Sequence, residues 1–172
     1  TASTSGAIII RSANAGVLGV SGKLVFSSGS SSNGNSGQIL IGTGAATNNG
    51  RGGAVSITVG SGASGTGGEV RVVAGRSTVH TGGLVSIISG EGTASTSGAI
   101  KIRTRNAGVA GSSGALYFST GSAKDGNSGA LHLGSGTTTG GRGGALVVSV
   151  GSGTSGAGGA ILAGAGRSTV HT

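Results

Sequence analysis

Gly53-Ala-Val-Ser-Ile-Thr-Val-Gly60 is followed by the arc Ser61-Gly-Ala-Ser-Gly-Thr-Gly67, and the pattern restarts at Gly68-Glu-Val-Arg-Val-Val-Ala-Gly75. Apolar residues fall at alternate positions, and glycine stands at both ends. Alternation of this kind is the period-two signature of an extended segment with one face set apart from the other. The flanking glycines permit turns. A helix is disfavoured by the glycine density and by the β-branched residues within the segment.

Working outward, the same unit recurs along the whole chain. A Ser-Gly or Gly-Gly pair ends at Gly6, Gly22, Gly37, Gly53, Gly68, Gly83, Gly98, Gly114, Gly129, Gly144 and Gly159, always 15 or 16 residues apart. With that glycine as position one, position three is aliphatic in every unit, from Ile8, Leu24, Ile39, Val55 and Val70 to Ile161. Position five is always apolar, as in Phe26, Ile41, Ile57, Val72 and Phe118. Position seven is small or β-branched, and position eight is glycine except at Ala13 and Arg105.

A longer period contains the shorter one. Thr1-Ala-Ser-Thr-Ser-Gly-Ala-Ile8 returns at Thr93 to Ile100, and Arg76-Ser-Thr-Val-His-Thr81 returns at Arg167 to Thr172, with one deletion near Asn48. The chain therefore reads as a single repeat array over 1–172, with super-repeat copies 1–92 and 93–172.

One such unit cannot bury its own apolar face, but stacked units can. The expected fold is thus all-β: a β-solenoid (β-helix) of about eleven coils of 15–16 residues, its narrow core filled by Ile/Val/Leu ladders at positions three and five. Leu24, Ile39, Val55 and Val70 are expected to be buried in register, as are Phe26, Ile41, Ile57 and Val72. On that reading Val55→Asp buries an unpaired charge and costs several kcal/mol. The return arcs alternate between bulkier and smaller types, so a coil of two units is the alternative. A polyproline-II bundle is disfavoured, because it needs glycine at every third residue.

Composition agrees with a thin core. Glycine supplies 42 of 172 residues; there is no Pro, Cys, Met or Trp, and the aromatics are Phe26, Tyr117 and Phe118. Glycine and serine in bulk usually make a flexible linker, yet the aliphatics here are regularly spaced and mean hydropathy is positive at +0.24. There is no apolar run long enough to span a bilayer and no recognisable signal peptide. The start at Thr1 without a methionine reads as a mature product or a fragment, and neither end carries an atypical capping unit.

The inventory argues against catalysis. Asp125, Glu69 and Glu91 are the only carboxylates and lie in different units. Acid–base chemistry commonly needs paired carboxylates or a well-placed histidine. His80 and His171 occupy equivalent places and His132 stands alone, with no cysteine or acidic cluster to complete a metal site. The expectation is no enzyme activity, no cofactor and no metal. Gly60-Ser-Gly-Ala-Ser-Gly65 matches a phosphate-loop pattern only because glycine is so common, and no Gly-Lys-Ser/Thr follows it. Stacking aromatics and a basic helix are missing too, so no specific nucleic-acid binding is expected.

Two sets of outward residues are candidates for contact. Position four carries Ile9, Val25, Leu40, Tyr117, Val147 and Leu162, an apolar stripe suited to lateral packing against another copy. Net charge is +8, which favours acidic partners. The candidate residues for an acidic ligand are Arg11, Arg51, Arg76 and their equivalents Arg103, Arg142 and Arg167. The bland alternative is that spaced arginines keep a glycine-rich array soluble.

Gly53-Ala-Val-Ser-Ile-Thr-Val-Gly60 and Gly144-Ala-Leu-Val-Val-Ser-Val-Gly151 make the chain similar to the Gly/Ser/Thr-rich tandem-repeat surface proteins of marine algae and protists. The resemblance covers the whole chain and is one of composition and period. It implies an extracellular or cell-surface setting and a structural or adhesive role. The leading expectation is a structural segment of a long filament, appendage shaft or coat, whose partner is another copy of itself. The alternative is a binding module for ice, acidic polysaccharide or a mineral surface. Ice binding calls for a regular outward ladder of threonine, and Thr137-Thr138-Thr139 has no counterpart in every unit.

Overall fold

The computed structural model describes residues 5–166. Among these residues there is no helix and no β-strand. The chain divides into two units, Thr1–Val85 and Ser86–Thr172. Each contains successive extended segments joined by short arcs.

This overturns the expected all-β β-solenoid of about eleven coils. No ladder of paired strands is present among the described residues, and no hydrophobic residue is buried. Leu24, Ile39, Val55 and Val70 are 50%, 50%, 57% and 59% exposed, and Phe26, Ile41, Ile57 and Val72 are more exposed still. The accessible surface is 17572 Å². A compact monomer of 15.7 kDa exposes only about 7,300 Å², and a fully unfolded chain of that mass about 23,000 Å².

The physical reason lies in the balance of terms. A ladder shelters position three only if the next coil lies about 4.8 Å away along the hydrogen-bonding direction. Bringing coils together must offset roughly 1–2 kcal/mol of backbone entropy for every residue fixed, and glycine loses the most. Two or three aliphatic side chains per 15-residue unit contribute little against that. The alternation itself survives in muted form. Position three is about half exposed from Leu24 onward, whereas Ile9 and Leu40 at position four are 78% and 82% exposed.

What the chain does form is a closed neck in every arc. In the unit Thr1–Val85, position seven meets the glycine that opens the next repeat: Ser12 with Gly22, Ser28 with Gly37, Thr43 with Gly53, Val59 with Gly68, and Ala74 with Gly83. In the unit Ser86–Thr172 the pairs are Ser89 with Gly98, Thr104 with Gly114, Thr120 with Gly129, Ser135 with Gly144, and Val150 with Gly159. Loops whose ends meet in this way resemble small Ω-loops.

Hydrogen bonds hold some of the necks. Gly83 N–H donates to Gly75 O at 2.8 Å, and Gly98 N–H donates to Gly90 O at 2.9 Å. The Thr43 hydroxyl donates to Gly53 O at 3.2 Å. Of the few half-buried residues, Ser12, Ala74 and Ser89 stand at necks.

Arc length selects the turn. Where the glycines are 16 apart, the middle of the arc is a tight turn, at Val17-Leu18, Asn48-Asn49 and Val109-Ala110. Gly19 N–H donates to Gly16 O at 3.3 Å, and its super-repeat equivalent Gly111 N–H donates to Gly108 O at 3.4 Å. Where the glycines are 15 apart, an open bend replaces the turn, as at Ala63-Ser64-Gly65 and Thr154-Ser155-Gly156. The one-residue deletion near Asn48 has this consequence: its second-copy arc is a bend at Thr139-Gly140-Gly141. Asn48 and Asn49 have φ of 57° and 67°, the pair of positive angles that a type I′ turn demands and that asparagine tolerates.

Candidate interaction surface

With no enclosed core among the described residues, the molecule's chemistry is that of its exposed segments. The six position-four residues expected to pack laterally are all exposed: Ile9, Val25, Leu40, Tyr117, Val147 and Leu162. They do not stand out as a separate stripe, because the residues of positions three and five are exposed beside them. The segments that carry these six residues therefore offer apolar groups on both faces. An isolated soluble protein seldom exposes contiguous apolar patches beyond a few hundred Å².

The arginines named as acidic-ligand candidates are exposed at Arg11, Arg51, Arg76, Arg103 and Arg142. Arg167 lies outside the described residues, as does His171. Arg103 differs from the others, since it lines a shallow concavity of about 280 Å³ together with Thr104, Arg105 and Asn106.

His80 sits in a local turn rather than in a site. Its backbone N–H donates to Ser77 Oγ at 2.9 Å, and that of Val79 donates to the same oxygen at 3.4 Å. This is a serine turn that orders the arc. Among the described residues no three His, Asp or Glu side chains converge. Among the described residues no helix is long and apolar enough to cross a membrane.

Sequence reasoning missed two features. The neck was one, although its signal is visible: a small or β-branched residue at position seven, then glycine nine or ten residues later. The other was Arg105, whose signal is that it stands where most units have glycine. No family model, curated protein or solved structure matches the chain.

Proposed function

We propose that the chain is a structural repeat segment that associates with copies of itself to build an extracellular filament, appendage shaft or coat. The observation that carries this reading is the recurrence, every 15 or 16 residues, of apolar side chains left exposed at positions three and five, joined in six of the eleven units by one at position four. Removing that area from water is worth roughly 25 cal/mol per Å². A single chain does not collect this gain, whereas many aligned copies do, with the same contact repeated once per unit. The shared period of the units supplies the translational match that side-by-side packing requires. Glycine, serine and threonine between them leave little bulk to hold neighbours apart.

The test is sedimentation velocity and negative-stain microscopy of the 172-residue chain over a wide concentration range. Association into elongated particles is expected. The triple variant Ile9→Thr, Val25→Thr, Leu40→Thr keeps extended-chain propensity and removes apolar area, so it should associate at higher concentration and give thinner particles. A chain that remains monomeric at high concentration overturns the reading.

A further inference from the structure

The first repeat of the second super-repeat copy is unlike every other unit in its charge. Lys101, Arg103 and Arg105 stand at positions four, six and eight of the repeat that opens at Gly98. Alternate residues of an extended chain are about 6.6–7.2 Å apart, so the three cations form a short, evenly spaced row. In the first copy the equivalent residues are Ile9, Arg11 and Ala13. One charge there has become three here.

Three observations point to a ligand for this row. The nearest carboxylates along the chain are Glu91 and Asp125, and among the described residues none of the three cations takes part in an ion pair or side-chain hydrogen bond. Arg105 replaces the glycine found at position eight in nine of the eleven units. Most directly, Arg103 and Arg105 flank Thr104, whose side chain closes the neck against Gly114. Arg103, Thr104, Arg105 and Asn106 together line a concavity of about 280 Å³.

We propose that Lys101, Arg103 and Arg105, the last two of which line the concavity beside the Thr104–Gly114 neck, form a binding site for a sulfated polysaccharide. Guanidinium groups match the oxygens of sulfate with paired, charge-assisted hydrogen bonds. The Thr104 hydroxyl and the Asn106 amide add neutral donors and acceptors suited to sugar hydroxyls. Between Arg103 and Gly111 there is no aromatic residue on which a base would stack, and stacking is what single-stranded nucleic-acid sites rely on. The site does not depend on self-association, and it is present in one chain.

The experiment uses the first copy as an internal reference. The full chain is titrated with size-defined heparin fragments, neutral dextran and oligo-dT at several salt concentrations, below the onset of association. Three proteins are compared: the unaltered chain, the double variant Lys101→Ile with Arg105→Ala, and the reverse variant Ile9→Lys with Ala13→Arg. Heparin is expected to bind the unaltered chain with salt-dependent affinity, and dextran not at all. The first variant should lose at least about tenfold, with a log–log salt slope shallower by about 1.4 for the two charges removed. The reverse variant should gain a second heparin site of comparable affinity. Unchanged affinity in the first variant overturns the proposal, as does failure of the reverse variant to gain a site. Tighter binding of oligo-dT than of heparin at equal salt assigns the row to nucleic acid and overturns it as well.

Discussion

Val59 Cγ1 occupies the space that a Cβ on Gly68 would need. The two residues are nine apart, at the end of one extended segment and the start of the next, and their contact closes the arc between them. Val150 and Gly159 repeat the relationship in the second copy, where an added Cβ would lie 2.5 Å from Val150 Cγ1. At these necks glycine is required by close approach and not by backbone angle.

Gly68→Ala therefore forces the Val59–Gly68 neck apart, at a cost of about 1–3 kcal/mol to the closed arc. Methyl-to-amide nuclear Overhauser contacts between Val59 and residue 68 should disappear. Adding Val59→Ala makes room and should restore the approach. If Gly68→Ala leaves those contacts unchanged, the neck is not closed as described.

The turn at Asn48-Asn49 depends on two residues with positive φ. Alanine at both positions places Cβ against the following carbonyl, costing roughly 1–2 kcal/mol per residue. Three-bond HN–Hα couplings at 48 and 49 should then move to values of negative φ. Asn49→Gly, by contrast, should preserve the turn. Retention of positive φ in the double alanine variant would refute this assignment.

Backbone hydrogen bonds across the arcs are few, so most amide protons should exchange with solvent at close to unprotected rates. Gly83 and Gly98 carry the shortest backbone–backbone bonds of the arcs, because their N–H groups donate across the necks at 2.8 and 2.9 Å. Hydrogen exchange read residue by residue should rank these two amides above the flanking glycines Gly82 and Gly92. Equal rates at all four would remove the hydrogen-bonded necks from the description.

Val55→Asp tests the absence of a core. In a buried ladder the substitution is severe; at 57% exposure it sets a solvated charge and should change single-chain stability by no more than about 0.5 kcal/mol. Far-ultraviolet circular dichroism of the dilute variant should overlay that of the unaltered chain. Its effect belongs to association, where a charge at position three opposes apolar packing and raises the concentration at which particles form. A variant that loses its dichroism while still dilute would show that Val55 is sheltered after all.

The repeat frame was legible in the residues alone. Glycine at position one, aliphatics at three and five, and the small residue at seven define units that the chain reuses as contacts, from Ser12–Gly22 through Val150–Gly159. The position of each turn followed as well, since every turn or bend lies within a glycine-rich arc and none within an apolar segment. Local pattern suffices for this because turns are made by residues near one another in the chain, and glycine and asparagine accept positive φ where a turn imposes it.

Burial was not legible. Period-two alternation says that Leu24 and Val25 face different ways; it does not say that anything lies opposite Leu24. Whether a face is covered is decided by contacts between residues far apart in sequence, and those form only when the apolar area gained exceeds the chain entropy lost. The sequence by itself determined the units, their boundaries and the glycines on which each arc closes. Only the tertiary structure decided that the units close one by one at their necks and leave Val55 and its equivalents exposed.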